Sequence, residues 1–246
     1  MTVAVGVRTA AAGAVAWVAL SGCAALPTAP PPLPSTFVPE VAAPSPEPGI
    51  PVGDDGFTVV ERVALRVTVE TCDEYRNGSA WVLDENTAVT NRHVIEGAVD
   101  IELTSYDGQR YEGTASVLSD DVDLALVDID GTFPEAAQLA TAEPSTGDPV
   151  FVVGYPEAGR LTTTTGIYAG TVPDNSGVDG EGAFAIAADT KQGNSGSPTV
   201  DENGDVIGVV FASDESTTTI VVSLESLQTF LGDPSLQVPN EADCER

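Results

Sequence analysis

The chain has 246 residues, of which 38 are acidic and 9 basic, so its formal net charge is −29. A surface this negative repels a phosphate backbone, which excludes nucleic acid as an expected partner. Such a charge could attract basic peptides, or it could simply keep the protein soluble. About 190 residues remain for one substantial globular unit once the first fifty are set aside.

Residues 1–22 have the layout of an export signal. Arg8 is their only positive side chain, and an apolar stretch follows from Ala10 to Leu20. This stretch is too short to span a bilayer as a helix but has the length of a signal-peptide core. The segment Leu20-Ser21-Gly22-Cys23 resembles the bacterial lipobox. The resemblance implies cleavage before Cys23, lipidation of its thiol and a lipid anchor on the extracytoplasmic face of the membrane. The alternative is ordinary secretion, with cleavage one or two residues further on.

Residues 23–55 are predicted to form a linker. Ten of the 18 prolines lie between Pro27 and Pro51, and little in this run could pack into a core. Such a composition is typical of an extended, semi-rigid spacer. The folded domain is therefore predicted to cover residues 56–246.

The three cysteines support this division. If Cys23 carries lipid, Cys72 and Cys244 remain as one pair in an oxidising compartment. A disulfide between them would pin the C-terminal tail to the start of the folded domain. It would close a loop of 172 residues, and the chain-entropy estimate for such a loop is about 5 kcal/mol as an upper figure. The alternative is two free thiols.

From Phe57 onwards, short β-rich runs are separated by turn residues. Alternation at this spacing favours antiparallel barrels or sandwiches. An apolar pattern near the C-terminus predicts a short amphipathic helix over 224–231, closed by Gly232. The sequence therefore predicts an all-β fold of two small barrels with a cleft between them, joined by a connection from 131 to 147. The predicted strands are 63–69, 80–83, 87–90, 100–103, 111–117 and 124–129 in the first half, and 150–154, 161–172, 183–187, 206–211 and 218–222 in the second.

His93 is the only histidine of the chain. It follows the predicted strand 87–90, so we expect it where a strand ends at a cleft. A serine nucleophile needs a base with a pKa near neutrality, and imidazole is the usual choice. Any serine chemistry that uses a histidine base must therefore use His93.

Ser195 lies in the run Gly193-Asn194-Ser195-Gly196-Ser197-Pro198. Glycines on either side let backbone amides approach a reacting carbonyl group without hindrance from a Cβ atom. Taken alone, the run could equally be an ordinary hairpin turn.

A third group should orient the imidazole, and five aspartates lie close together in the sequence. Asp123 immediately precedes a predicted strand that would hold it rigidly, and we choose it partly because of the family resemblance given next. The two before it, Asp120 and Asp121, resemble solvated turn residues. The two after it, Asp128 and Asp130, alternate along the strand and should face water.

These segments are similar, in the same order, to the landmarks of the trypsin-like serine proteases and most of all to the HtrA-like bacterial branch. The resemblance covers residues 57–231 and implies the chymotrypsin fold, with two six-stranded antiparallel β-barrels and a short C-terminal helix. HtrA-like enzymes usually continue into a PDZ domain, whereas this chain ends at Arg246, so PDZ-mediated recognition is not expected. The matching segments are Thr90–Ile95, Asp123–Val127, Gly147–Val150, Gly154–Pro156, Thr165–Ile167 and Gly193–Pro198.

The resemblance also implies a mechanism. His93 would take the proton from Ser195 as its oxygen attacks a peptide carbonyl, and Asp123 would stabilise the resulting imidazolium. The backbone N–H groups of Gly193 and Ser195 would bind the oxyanion, at about 3 kcal/mol per donor. Ser197 would have no chemical role. The expected substrates are proteins or peptides, and no metal or cofactor is expected.

Two departures bear on activation and specificity. Asn194 stands where digestive proteases carry the aspartate that pairs with a newly made N-terminus, so activation by such a cut is not expected. Asp189 lies six residues before Ser195, the trypsin spacing for a preference for Arg or Lys. HtrA-like members generally prefer small aliphatic residues, and Asp189 could equally be a strand-end residue near Lys191.

Two classes of function remain open from the sequence. One is an active, membrane-tethered serine endopeptidase. The other is a peptide-binding or stress-sensing module of the same fold with little turnover. A complete triad favours the enzyme.

Overall fold

The structure is a computed structural model, and it describes residues 50–172, 182–213, 217–242 and 244. The predicted signal segment 1–22, Cys23 and most of the predicted linker 23–55 lie outside the described residues. Within the described ranges, no helix has the length and apolar character needed to cross a membrane.

The first barrel is built from six antiparallel strands that close between β5 and β6, and a seventh strand, β13, adds to β5. Alternation of side chains explains why these segments pair. Along β6, the side chains of Ala125, Val127 and Ile129 are buried, whereas Asp128 is exposed. The strands are β1 Ala64–Thr71, β2 Tyr75–Val82, β3 Thr87–Thr90, β4 Ala98–Thr104, β5 Arg110–Ser119, β6 Ala125–Ile129 and β13 Gln237–Pro239.

The second barrel is a closed, six-stranded antiparallel sheet in the order β10-β11-β12-β9-β8-β7. Buried side chains from both barrels form one continuous core cluster, so the barrels pack directly on each other. The predicted all-β class and the two six-stranded barrels are confirmed. The strands are β7 Pro149–Gly154, β8 Thr162–Thr171, β9 Ala183–Ala187, β10 Pro198–Val200, β11 Val206–Ser213 and β12 Thr218–Ser223.

Three α-helices accompany the strands in the part of the chain that the structure describes. Helix α1, Val59–Val63, begins with a capping box in which Thr58 and Glu61 exchange hydrogen bonds. Helix α2, Arg92–Ile95, is a single turn after β3 and carries His93. Strand β3 ends at Thr90 as predicted, and His93 follows that end on a helical turn that the sequence did not predict. Helix α3, Leu224–Gly232, matches the predicted C-terminal helix.

A disulfide joins Cys72 to Cys244, with Cα atoms 5.4 Å apart. Cys72 lies between β1 and β2, so the bond connects the C-terminal tail to the first barrel, as the cysteine count predicted. The tail is also held by β13, which pairs with β5 over Gln237–Pro239.

Candidate active site

The structure brings His93 and Asp123 into direct contact. The Nδ1 atom of His93 lies 2.5 Å from Oδ2 of Asp123, and the backbone N–H of His93 donates to Oδ1 at 2.9 Å. Both carboxylate oxygens are therefore engaged by one residue. This geometry fixes the imidazole with Nδ1 towards the carboxylate and leaves Nε2 for another partner.

Ser195 lines the same cleft as His93. The cleft has a volume of about 630 Å³, and residues of both barrels line it. Ser195 lies in the turn just before β10 of the second barrel, whereas His93 belongs to the first. His93 and Ser195 thus line one cleft between the two barrels.

Asp123 lies in the turn before β6, and neighbouring residues fix its backbone. The side-chain amide of Asn91 donates to the carbonyl oxygen of Asp123 at 2.7 Å. Asn91 is fully buried at the start of α2. The same short segment therefore positions His93 and holds the backbone of its carboxylate partner.

Arg92 links the helix of His93 to the end of β5. It donates to the carbonyl oxygen of Ser119 at 2.8 Å and pairs with Glu96 at 2.8 Å. The hydrogen bond that Arg92 donates to Glu96 raises the pKa of the Arg92 guanidinium. Because Asp123 follows Ser119 in the same turn, Arg92 connects the two segments that carry the imidazole and the carboxylate.

The turn around Ser195 depends on two glycines in left-handed backbone conformations. Gly193 has φ = 93°, and a Cβ atom there would lie 2.7 Å from the carbonyl oxygen of Tyr155. Gly196 has φ = 85°, and a Cβ atom would overlap the carbonyl oxygen of Ser79. Both positions thus exclude a side chain for two independent reasons, backbone angle and space.

The peptide before Gly193 is held by the turn Tyr155–Ala158. The backbone N–H of Glu157 donates to the carbonyl oxygen of Gln192 at 2.6 Å. Because C=O and N–H point in opposite directions across a trans peptide, the N–H of Gly193 points away from this turn. Glu157 and Ala158 both have φ = 55°, which is uncommon for residues other than glycine and is found at functional sites.

Ser79 of β2 ties the nucleophile turn to the first barrel. Its hydroxyl donates to the carbonyl oxygen of Gly193 at 2.7 Å and accepts from the N–H of Tyr155 at 3.0 Å. Its backbone N–H donates to the carbonyl oxygen of Ser195 at 2.8 Å. One buried serine therefore makes three hydrogen bonds across the barrel interface.

Asn194 and Ser197 are buried, and their side chains form a hydrogen bond with each other. Ser197 Oγ donates to Asn194 Oδ1 at 3.3 Å, and Asn194 Nδ2 donates to the carbonyl oxygen of Lys191 at 3.2 Å. The amide of Asn194 is thus held by its own turn. Ser197 is fully buried and is not among the described residues that line the cleft.

Asp189 is exposed and paired. Its side chain is 60% exposed, and its Oδ1 lies 2.5 Å from Nζ of Lys191. The described residues that line the cleft do not include Asp189. The structure therefore places it in the setting of the second interpretation, a strand-end residue beside Lys191.

The sequence model of the trypsin-like peptidase domain matches residues 78–209, which is more than half of the chain. The chain belongs to the trypsin-like peptidase family. A serine protease of Mycobacterium tuberculosis, Rv3671c, is 30% identical over 207 residues, covering 77% of this chain and 50% of the relative. A probable periplasmic, DegP-like serine endoprotease of Chlamydia trachomatis is 33% identical over 56% of this chain and 28% of its own length.

Solved structures agree with this assignment. The active form of the Rv3671c protease superposes with a TM-score of 0.63 at 27% identity, covering 72% of this chain and 81% of that one. The HtrA-type protease AlgW, solved with a tripeptide, gives a TM-score of 0.61 at 26% identity, over 70% of this chain and 62% of that one. This trypsin-like peptidase is therefore of the HtrA-like branch. The chain spans about half the length of the Rv3671c protease, and 28% of the chlamydial relative.

Sequence reasoning missed the residues that support this trypsin-like site from a distance. Ser79 stands before a buried apolar run and carries no local pattern that predicts a cross-barrel contact. Asn91 and Arg92 lie inside the histidine motif, yet their partners are 27 to 32 residues away in sequence. Only the closed barrel brings such partners together.

Proposed function

We propose that this chain is a serine endopeptidase in which Ser195 attacks the peptide carbonyl, His93 transfers the proton and Asp123 stabilises the imidazolium. The contact between His93 Nδ1 and Asp123 Oδ2 is the observation that carries the proposal. It orients a single imidazole in the cleft that Ser195 also lines. The relatives named above are serine proteases, which agrees with this reaction.

The proposed oxyanion site consists of the N–H groups of Gly193 and Ser195. Its support is the hydrogen bond from Glu157 N–H to the Gln192 carbonyl, which turns the Gly193 N–H away from the Tyr155–Ala158 turn. Backbone donors fixed in this way stabilise a tetrahedral intermediate without reorganising during the reaction.

Covalent capture by a fluorophosphonate probe tests the chemistry, because the probe reacts only with an activated serine. We expect one adduct, located at Ser195 by peptide mass spectrometry. The variants Ser195→Ala and His93→Ala should lose labelling and peptide hydrolysis. Ser197→Ala is the matched control and should keep both, provided its thermal midpoint is unchanged.

Failure of the wild-type chain to label or hydrolyse casein-derived peptides, while it still binds them, would reject the enzyme. That result would favour the alternative module, which binds peptides with little turnover. Labelling at Ser197 in place of Ser195 would reject the residue assignment but keep the enzyme class.

For specificity we propose that Asp189 does not select basic residues. Its exposed ion pair with Lys191 supports this. The ratio of hydrolysis rates for matched peptides with Arg or Val before the cleaved bond should then be the same in Asp189→Ser as in the wild-type chain. A strong wild-type preference for Arg that disappears in the variant would restore the trypsin-like interpretation.

We further propose that residues 1–22 direct export and that Cys23 carries a lipid anchor before the linker 23–55 and the domain 56–246. The support is the sequence of the segment Leu20–Cys23. In a bacterial host, the full chain should sediment with membranes, and mass spectrometry should find a diacylglyceryl Cys23. Cys23→Ser should release a soluble protein. Membrane association that survives this variant would contradict the anchor.

A further inference from the structure

The segment that carries His93 cannot hold its own conformation. Helix α2 has four residues, and isolated helical turns of this length are unstable. Short helices also leave carbonyl groups without partners in the helix. The side chain of His93 is 50% exposed, so packing does not fix it. Besides its contacts with Asp123 and the burial of Val94 and Ile95, its position therefore depends on what binds the backbone of residues 93–97.

Arg76 of β2 binds this backbone from one side. Its Nη1 donates to the carbonyl oxygen of His93 at 2.9 Å, and its Nη2 donates to the carbonyl oxygen of Glu96 at 3.0 Å. Its Nε donates to Glu74 at 2.9 Å, which holds the guanidinium plane. Each nitrogen of the fork thus has a separate acceptor, and two of these acceptors belong to the histidine segment.

Asn240 of the C-terminal tail binds the same segment through different atoms. Its Nδ2 donates to the carbonyl oxygen of Ile95 at 2.8 Å, and its Oδ1 accepts from the N–H of Gly97 at 2.9 Å. The backbone of Asn240 is fixed in turn, because its N–H donates to the carbonyl oxygen of Ser116 in β5 at 3.0 Å. The tail therefore reaches a site 145 residues away in sequence.

We infer that Arg76 and Asn240 are positioning residues for His93, which together fix the backbone of residues 93–97 so that the imidazole stays aligned between Asp123 and Ser195. The inference rests on the proposed role of His93. Between them the two side chains bind four backbone groups within residues 93–97. These are the carbonyls of His93, Ile95 and Glu96 and the N–H of Gly97. Arg76 also lines the cleft, but each nitrogen of its guanidinium already has an acceptor, so neither residue is assigned contact with substrate.

Kinetics of four variants test this inference. Arg76→Met and Asn240→Ala should lower kcat by roughly 10- to 100-fold, the scale expected when a catalytic group moves by about 1 Å. KM should change less than about threefold, since a positioning residue acts on the chemical step. Arg76→Lys keeps the charge but not the planar fork, so it should recover only part of the loss. The double variant should lose less than the product of the two single effects, because both residues act on one segment.

Two matched controls exclude general effects of the substitutions. Arg110→Met removes an arginine of the same barrel that is 70% exposed and bound to Glu102. Asn203→Ala removes an asparagine side chain that donates to Asp201 within its own turn. Both should keep wild-type kcat. Thermal midpoints measured on all variants separate loss of alignment from loss of folding.

A spectroscopic measurement gives a second, independent readout. His93 is the only histidine, so a chain labelled with ¹⁵N-histidine gives the signals of one imidazole without assignment. In the wild-type chain, the proton on Nδ1 should be visible and protected from exchange by its bond to Asp123. In Arg76→Met and Asn240→Ala, this signal should broaden or exchange faster, whereas Arg110→Met and Asn203→Ala should match the wild type.

The outcomes separate this inference from the proposed function. A wild-type chain that fails to label with fluorophosphonate rejects the proposed function, yet the imidazole spectra still decide whether Arg76 and Asn240 hold His93. Wild-type kcat and an unchanged imidazole signal in Arg76→Met, Arg76→Lys and Asn240→Ala would overturn the inference. If Arg76→Met does not fold, Arg76→Lys and Asn240→Ala carry the same test.

Discussion

The two barrels hold their parts of the site by different means. In the first barrel, side chains from distant segments hold His93 and Asp123: Arg76, Asn91 and Asn240 all bind backbone groups of these two segments. In the second barrel, the turn around Ser195 requires the positive φ angles of Gly193 and Gly196, and hydrogen bonds from Ser79 tie it to the first barrel.

This difference has a physical basis. An imidazole must face both a carboxylate and a serine, so its orientation is sensitive to small rotations, and several polar contacts can share the task of fixing it. Backbone N–H donors need the chain itself to turn inward, and glycine angles achieve this without a side chain. In the first barrel, substitutions that remove a polar group should therefore impair the site most. In the second barrel, substitutions that add side-chain volume should.

The largest effect should come from the carboxylate. Asp123→Asn puts an amide where two oxygens accept from His93, so one of these contacts is lost and the imidazolium is no longer stabilised. In a comparable enzyme this change lowers kcat about 10⁴-fold, and we expect a loss of that order. Asp121→Asn, two residues earlier and exposed, is the control and should retain activity. A loss below tenfold for Asp123→Asn would show that the carboxylate lies elsewhere.

Added side-chain volume should disrupt the turn around Ser195. Gly196→Ala must accommodate both φ = 85° and a Cβ atom that overlaps the carbonyl oxygen of Ser79. We expect a loss of several kcal/mol in unfolding free energy or of most fluorophosphonate labelling. Gly108→Ala is the matched control, because Gly108 has φ = 88° with no atom within 4 Å of the added Cβ. Gly108→Ala should lower the unfolding free energy by only about 1 kcal/mol, the cost of the positive φ angle without a steric clash. Equal effects at both glycines would remove the steric argument.

Most of the fold could be predicted from the sequence, because buried residues alternate along the strands. The predicted strands 87–90 and 183–187 coincide with β3 and β9. Strand β2 begins five residues before its predicted start, since Tyr75-Arg-Asn-Gly-Ser79 is polar and its pairing is dictated by β1. Strands β10 and β13 have three residues each, which is too few for a periodic pattern.

Some residues of the site could likewise be predicted from the sequence, and others could not. His93 and Ser195 could be named from local motifs and Asp123 from the strand that follows it, because each motif is continuous in sequence. Arg76 and Asn240 could not, since their role depends on backbone groups 17 and 145 residues away. Long-range hydrogen bonds to backbone atoms leave no side-chain pattern in the partner segment. Contacts of this kind become visible only when strand register is known.

The cross-barrel serine should have an intermediate effect. Ser79→Ala leaves the carbonyl of Gly193 and the N–H of Tyr155 without the hydroxyl they share. Leaving buried polar groups unpaired costs about 1 to 3 kcal/mol, and kcat should fall because Gly193 is no longer fixed.

Thr104→Val provides the control in the same barrel. The hydroxyl of Thr104 is buried without a hydrogen-bond partner among the described residues, so its removal should leave stability unchanged or raised. Measured by urea denaturation, a larger loss for Thr104→Val than for Ser79→Ala would contradict this account of the barrel interface.

The smallest effect concerns Tyr155, where the barrels meet. Burial raises the pKa of the Tyr155 phenol from 10 to about 12, so the folded chain keeps this proton in a range where the unfolded chain releases it. The unfolding free energy should therefore be unaffected by this group below pH 10 and fall as the pH rises from 10 to 12, by roughly 2 kcal/mol. Tyr155→Phe should make this alkaline slope shallower, measured by urea denaturation at intervals from pH 9 to 12. Equal slopes in the wild type and Tyr155→Phe would mean that the interface does not exclude water from this ring.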